Sequence, residues 1–138
     1  MAKGRVVKLR VGAKALKGFK ERVRQITCRN GGRSLDQVVG ELRAYLLGWK
    51  QYFGLADTRK IFHRLDEWIH RRLRMLQLKQ WKRGTTTYRE LRRKGVSEAV
   101  AAMAARFTRA WWHVAAHQAL NVALPGRYFR EIGVPTLA

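Results

Sequence analysis

The sequence predicts a mainly α protein, a multi-helix bundle with one short N-terminal strand or extended arm. Apolar residues recur every three or four positions through several stretches, as they do on one face of a helix. Gly, Pro and helix-capping residues separate these stretches. Weak alternation of period two occurs at 5–11, where Val7, Leu9 and Val11 share one side.

The composition is that of a folded protein with an unusual charge. The 138 residues suit one compact domain, and 46% of them are hydrophobic, with five Trp spread from Trp49 to Trp112. The net charge is nevertheless +21. The hydrophobic content excludes a disordered basic tail despite this charge, and we expect the chain to fold around a modest core.

The positive charge falls in two blocks. Residues 1–33 contain eleven Lys and Arg against one acid, and residues 58–95 contain thirteen against three. The stretch between them is nearly neutral. Such an excess repels itself, and a polyanionic partner relieves the repulsion. Nucleic acid is the leading candidate for that partner, and an anionic membrane surface is the second.

The single Cys28 excludes an internal disulfide framework and a multi-cysteine zinc site. It fits a reducing compartment, so we expect the protein to be cytoplasmic. No stretch approaches the ~20 apolar residues of a membrane span, and the N-terminus has no sustained apolar region of a signal peptide. The sequence therefore predicts neither secretion nor membrane insertion.

Two helices are predicted in the first half of the chain. The first, from about Lys14 to Thr27, is amphipathic and basic, with Leu16, Phe19, Val23 and Ile26 on its apolar side. Its cations are Lys14, Lys17, Lys20 and Arg24. After the break at 30–32, Ser34 and Gln37 form a capping box that opens a helix to Phe53. The broad apolar face of this helix makes it the expected organiser of the core.

A long helix follows, with two opposed faces. Its apolar stripe is Phe62, Leu65, Ile69, Leu73 and Leu76. The opposite side carries Lys60, Arg64, Arg71, Arg74 and Lys82. Flanking this basic side are Trp68, Met75 and Trp81. The pattern predicts a phosphate-binding row beside flat side chains that stack on unpaired bases. The plain alternative is a solvated surface helix, but that alternative expects more interleaved acids.

Shorter helices are predicted in the remainder. Asp57 or Thr58 is expected to cap the long helix and Gly84 to close it. Thr87 and Glu90 form a second capping-box pair at the start of a basic helix that ends near Gly95. The later elements are an Ala-rich helix at 98–107, a helix from Trp111 to about Leu124, and a last apolar turn at 128–132.

Three segments, in this order, carry a resemblance to a known family. They are LRAYLLGWKQYFGLAD at 42–57, LDEWIHRRLR at 65–74 and KQWKR at 79–83. The chain resembles the maturase-specific domain of group II intron reverse transcriptases, with part of the preceding thumb. The resemblance is dense from about 13 to 95 and looser to the C-terminus. It implies an extended basic arm at 1–12, thumb-like helices at 13–56 and a maturase-specific helical domain at 57–138.

In that family the domain follows the polymerase, binds intron RNA together with the thumb and helps the RNA to fold, while the RNA performs the splicing chemistry. This sequence lacks the fingers and palm and contains no Tyr-x-Asp-Asp motif. It also ends without a Cys- and His-rich endonuclease module. We therefore expect no enzyme activity from the chain itself.

Catalytic and metal-binding residues are not predicted, nor is a cofactor. His113 and His117 have a spacing compatible with metal ligation, but packed or capping histidines are the better interpretation. The acids are too scattered for a two-metal site, and one of Asp66 and Glu67 is expected to pair with Arg71 or to fix an interhelical contact. Cys28 is expected to be buried or incidental. His63 and His70 are expected at the surface or against RNA.

The predicted partner is group II intron RNA. The first set of expected contacts, on the long helix and just after it, is Arg64, Arg71, Arg72, Arg74, Lys79, Trp81, Lys82 and Arg83. The second set is Lys14, Lys17, Lys20 and Arg24. Trp81 or Tyr88 is expected to stack on a base, whereas Trp49, Trp111 and Trp112 are expected in the core.

Two alternatives remain open from the sequence alone. The first is a protein-interaction tail that docks to a separate reverse-transcriptase chain through the helix at 35–53 and the Ala-rich segment. The second is a basic protein that binds DNA or an acidic membrane surface without specificity. Of these possibilities, we expect RNA as the partner and no membrane.

Overall fold

The computed structural model describes residues 12–28, 34–53, 59–106, 111–115 and 118–137. Within them the helices are α1 (Ala13–Ile26), α2 (Leu35–Phe53), α3 (Arg59–Trp81), α4 (Gly84–Arg93), α5 (Glu98–Arg106), α6 (Trp111–Ala115), α7 (Gln118–Ala123) and α8 (Gly126–Glu131). These residues include no strand, so the prediction of a mainly α bundle is confirmed. The predicted arm at 1–12, apart from its last residue, and the capping positions Asp57 and Thr58 lie outside the described residues.

An aromatic cluster joins the first three helices. The ring centroids of Phe19 and Trp49 lie 4.5 Å apart, and those of Trp49 and Phe62 lie 5.6 Å apart in an edge-to-face arrangement. Each such pair stabilises a fold by about 1 kcal/mol beyond the area that it buries. Trp49 is buried, as predicted, and it connects α1 to α3 through α2.

The capping box at the start of α2 is confirmed. The backbone N–H of Gln37 donates to Ser34 Oγ at 3.2 Å, and that of Ser34 donates to Gln37 Oε1 at 3.0 Å. From the same helix Arg43 Nη1 donates to the Gly133 carbonyl at 3.1 Å, and Lys50 Nζ donates to the Thr136 carbonyl at 2.9 Å. Helix α2 therefore packs into the core and also holds the C-terminal segment.

Helix α3 buries its predicted stripe and more besides. All five stripe residues are at most 6% exposed. Met75 and Leu78 are buried as well, so the prediction that Met75 flanks an outward basic side is wrong. The cause is coverage from several directions, since α3 packs against α4, α6 and α8. The helix is a central element rather than a surface one.

Gly84 begins a helix instead of closing one. Helix α3 ends at Trp81, and Lys82 takes the left-handed conformation, with a φ of 61°. Helix α4 then starts at Gly84, where an added Cβ would lie 2.8 Å from the Ala105 carbonyl oxygen. The glycine is explained by this close approach of α4 to the end of α5, and a local stop signal does not account for it.

The predicted capping box at Thr87 and Glu90 is wrong. Thr87 lies inside α4, completely buried, and among the described residues its Oγ1 has no hydrogen-bond partner. The C-terminal end of α4 follows prediction. Gly95 has a φ of 93°, and the N–H of Val96 donates to the Leu91 carbonyl at 3.0 Å, which completes a Schellman motif with buried Leu91 and Val96.

The C-terminal third closes the bundle over α3. The helix predicted from Trp111 to Leu124 is described as α6 and α7, with residues 116–117 between them outside the described residues. Helix α8 follows Pro125 and ends in a second Schellman motif at Gly133, whose φ is 115°. Asp66 Oδ1 then accepts a hydrogen bond from the Leu137 N–H at 2.8 Å. Asp66 thus makes a tertiary contact, which is one of the two roles expected for the acids at 66 and 67.

Candidate nucleic-acid interface

The outward side of α1 presents the cations that the sequence placed there. Lys14, Lys17, Lys20 and Arg24 are all exposed, and Phe19, Val23 and Ile26 are buried on the opposite side. Spacings of three and four residues bring these cations to one face of the helix. We call this set the α1 basic face.

The contacts predicted on α3 and just after it divide into an exposed group and a half-buried group. Arg64, Lys82 and Arg83 are exposed, and Arg71, Arg72, Lys79 and Trp81 are half-buried. We call these seven residues the α3 basic face. Long cationic side chains bury their aliphatic stems while the charged end remains in water, so half-burial is compatible with phosphate contact.

Arg74 does not belong to either face. Its side chain is only 9% exposed, its Nε donates to the Leu124 carbonyl at 2.8 Å, and its guanidinium carbon lies 5.6 Å from the ring centroid of Phe129. Burial lowers the pKa of Arg74, although Glu67 acts in the opposite direction. The prediction that Arg74 lines the outward side is wrong, because α8 and the end of α7 cover this part of α3.

The two basic faces meet at Trp68. The guanidinium carbon of Arg24 lies 5.4 Å from the centroid of the indole, and that of Arg72 lies 5.7 Å from it. Both distances are within the range of cation–π attraction. Trp68 is half-buried and packs against the core. The positive surface therefore passes from α1 to α3 across one aromatic ring.

A cavity of about 790 Å³ lies beside α3, at the edge of its basic face. Its walls include His63, Glu67, His70, Arg71, Asn121 and Arg130. His63 and Glu67 are exposed, and 3.3 Å separate Nε2 of His63 from Oε1 of Glu67. The cavity is thus lined by cations and by side chains that donate and accept hydrogen bonds.

His70 is not at the surface, where it was expected. It is 9% exposed, and its ring stacks on Phe129 with 5.1 Å between the centroids. Burial, followed by the charges of Arg74 and Arg130, lowers the pKa of His70 to about 4. A neutral imidazole is therefore built into the contact between α3 and α8.

The sequence-based selection of contacts missed the cations of α4. Arg89, Arg92, Arg93 and Lys94 are all exposed. Arg92 also donates to the Val96 carbonyl at 3.1 Å, and Lys94 Nζ lies 5.0 Å from the ring centroid of Tyr128. The run of three consecutive cations at 92–94 was the signal available. The aromatic partner Tyr128 was not visible because it lies more than thirty positions away.

Residues 16–95 match the family model of the group II intron, maturase-specific domain. This range is more than half of the chain and includes most of α1, all of α2 to α4 and, apart from Lys14, both basic faces. The chain belongs to this family. A search of curated proteins found no match to it.

Membership implies a role in group II intron splicing, in which the maturase-specific domain is not itself the catalyst. The part of the chain that the structure describes contains no group of three or more His, Cys, Asp or Glu suited to a metal ion. His113 is exposed, and its predicted neighbour His117 lies outside the described residues. Cys28 is exposed, which corrects the expectation of a buried thiol but leaves an incidental one.

Two predictions about this maturase-specific domain stay predictions. They are the assignment of residues 13–56 to a thumb and the division of the chain at 56 and 57. Among the described helices, none is long and apolar enough to cross a membrane.

Proposed function

We propose that this maturase-specific domain binds structured group II intron RNA and assists the folding of that RNA into its splicing-active form. The observation that carries the proposal is the coincidence of the family match with the two basic faces. The matched range, 16–95, contains the outward cations of α1 and α3 apart from Lys14. These cations are exposed or half-buried. A surface of this kind attracts the phosphate backbone of RNA. Binding is favoured because it releases the counterions that surround the RNA.

The proposed contacts are the α1 basic face and the α3 basic face, without Arg74. Phosphate contacts supply most of the affinity and fix the orientation of the RNA, but they carry no base information. Trp81 and Tyr88 are both half-buried, and the exposed part of either ring is available for stacking on a looped base. The exposed cations of α4 are further candidate contacts for RNA.

Competition binding tests the RNA-binding part of the proposal. Labelled group II intron RNA is bound to the protein and challenged with unlabelled structureless RNA and with duplex DNA, at two salt concentrations. We expect the intron RNA to resist both competitors. If the protein contacts six to ten phosphates, raising the salt concentration from 50 to 200 mM should lower its affinity for RNA by about 10³ to 10⁵. Equal competition by all three would leave only a non-specific basic protein, and a weak salt dependence would overturn the phosphate-contact argument.

A splicing assay tests the assistance. Intron RNA is incubated at a magnesium concentration too low for efficient self-splicing, with and without the protein. We expect the protein to raise the fraction spliced. The test variant is the double substitution Lys17→Gln, Lys20→Gln, which removes exposed charge from the α1 basic face and should reduce the gain. The matched control is Arg106→Gln, Arg127→Gln, which removes two exposed charges outside both basic faces and should keep the gain. Binding without any gain in splicing would retain RNA recognition and reject assistance.

Docking to a separate reverse-transcriptase chain is a second candidate function. Exposed apolar side chains favour it, because Leu47 on α2 is 43% exposed and Met103 on α5 is 56% exposed. These two helices are the segments that the sequence predicts as docking elements, and their exposed apolar side chains are the ones that a partner would cover. A fingers–palm polypeptide of a group II intron reverse transcriptase is the partner to test, by size-exclusion chromatography. Co-elution that is lost in Leu47→Glu would support this function, and independent elution would reject it.

A further inference from the structure

Two guanidinium groups from different helices share one indole. Arg24 comes from α1 and Arg72 from α3, and the guanidinium carbon of each lies within 6 Å of the Trp68 ring centroid. Each contact holds a flat cation near an aromatic ring and restricts its rotation. Two like charges have therefore been brought to the same place by side-chain packing.

A buried hydroxyl fixes Arg72 further. Arg72 Nε donates to Thr27 Oγ1 at 2.6 Å, and Thr27 Oγ1 donates in turn to the Val23 carbonyl at 2.6 Å. Thr27 is completely buried, so this relay is rigid. Among the described residues, no hydrogen bond or ion pair uses the terminal nitrogens of Arg72. The forked end of the guanidinium is thus available to a ligand.

No carboxylate among the described residues is paired with Arg24 or Arg72. The segment 29–33, which follows Cys28, contains two Arg and no acid. Burial lowers the pKa of Arg72, the charge of Arg24 lowers it further, and Cys28 acts in the opposite direction. The arrangement is an oriented positive pair whose repulsion an anion would relieve.

We propose that Arg24, Trp68 and Arg72 form a binding site for one phosphodiester group of RNA, in which Trp68 orients the two guanidinium groups and does not stack on a base. A phosphate oxygen pair matches the fork of a guanidinium, and such bidentate bonds are short and strong. One phosphate at this point would offset half of the charge of the pair and join the α1 and α3 basic faces along a single RNA strand. The inference rests on the proposed RNA-binding function.

Charge-conserving variants separate an oriented fork from simple positive charge. Arg24→Lys and Arg72→Lys keep the charge but lose the planar fork, and Arg127→Lys makes the same change at an exposed position of α8, outside both basic faces. At constant salt we expect each of the first two variants to weaken binding of intron RNA by about tenfold, in line with the strength of a charge-assisted hydrogen bond. Arg127→Lys should change the affinity less than twofold by comparison.

Alkylation of Cys28 gives a second measurement on the unaltered protein. Cys28 is the one cysteine in the chain, it is exposed, and it directly follows Thr27, whose hydroxyl accepts the hydrogen bond from Arg72. RNA bound at the site should therefore slow the reaction of Cys28 with neutral iodoacetamide severalfold. The Arg24→Lys variant, at RNA concentrations that saturate it, should show weaker protection.

The outcomes distinguish the two levels of the argument. Wild-type protein that fails to bind intron RNA overturns both the proposed function and this site. Wild-type protein that binds normally, with Arg24→Lys and Arg72→Lys unaffected and Cys28 unprotected, overturns the site alone. Binding weakened equally by Arg127→Lys shows that the loss is not specific to the oriented pair, and this result also overturns the site.

Discussion

Arg74 Nε donates a hydrogen bond to the backbone carbonyl of Leu124 at 2.8 Å, and this bond is buried between α3 and the C-terminal end of α7. The same guanidinium lies against the ring of Phe129 in α8. A cation in the middle of the most basic helix therefore belongs to the contact that closes the bundle. Its neighbours Arg71 and Arg72 remain half-exposed. Charge along α3 thus has two functions, which substitutions can separate.

Replacing Arg74 should destabilise the fold. In Arg74→Gln the Leu124 carbonyl loses a charged donor, and Phe129 loses a cation from its ring. We expect the free energy of unfolding to fall by about 2 kcal/mol, which thermal denaturation followed by circular dichroism will show as a lower Tm. Arg64→Gln is the control, because Arg64 is exposed and its loss should change stability by no more than about 0.5 kcal/mol. Equal melting curves for the two variants would contradict a structural role for Arg74.

Periodicity predicted the helices well but not how many sides of α3 are covered. The stripe containing Ile69 and Leu73 is buried as predicted, because apolar spacing reports the face that meets the core. His70 and Arg74 lie off that stripe and are buried by residues that follow some fifty positions later. Polar side chains give no local signal of such coverage. The predicted RNA-binding set was therefore too inclusive on α3.

Local cap signals succeeded where the backbone is exposed and failed where packing decides. The Ser34 and Gln37 box is exposed and forms as predicted. At Gly84 and Thr87 the start of α4 is set by contact with α5, and this contact cannot be inferred from neighbouring residues. The ordered segments at 42–83 were more informative, since the family that they indicated is confirmed by the match.

Two glycine substitutions should have opposite effects. In Gly84→Ala the new Cβ would lie 2.8 Å from the Ala105 carbonyl oxygen, so α4 and α5 must move apart, with a loss of stability of about 1 to 3 kcal/mol. In Gly40→Ala, within α2, the Cβ meets nothing within 4 Å, and the better helix former should raise stability by about 0.5 to 1 kcal/mol. Chemical denaturation measures both. A stabilised Gly84→Ala would show that α4 and α5 are not in close contact.

Removing the hydroxyl of Thr87 should stabilise the protein. The side chain is completely buried, and its Oγ1 finds no partner among the described residues. Thr87→Val keeps the shape and the β-branch, so we expect a gain of about 1 kcal/mol in the free energy of unfolding. Thr85→Val, at an exposed position of the same helix, should change it little. A loss of stability in Thr87→Val would mean that the hydroxyl is hydrogen-bonded in solution.

His70 should make stability depend on pH. In the unfolded chain a histidine titrates near 6.5, whereas burial and the neighbouring Arg74 and Arg130 lower the pKa of His70 in the folded protein to about 4. Below pH 6.5 the unfolded chain therefore takes up a proton that the folded protein does not accept until about pH 4. The contribution of neutral His70 to the free energy of unfolding is fully present above pH 6.5. It is lost progressively as the pH falls to 4, by up to about 3 kcal/mol.

Denaturant unfolding measured at steps between pH 7 and pH 4 tests this dependence, with His70→Phe as the decisive variant. Phenylalanine preserves a flat ring against Phe129 and removes the titrating group, so stability should decline less steeply than in the wild type. His113→Gln, which removes an exposed histidine, should keep the wild-type slope. Carboxyl groups that titrate in the same range contribute equally to all three proteins, so the difference in slope isolates His70. Identical slopes for wild type and His70→Phe would mean that protons reach His70 in the folded state, and that the contact between α3 and α8 is open to water.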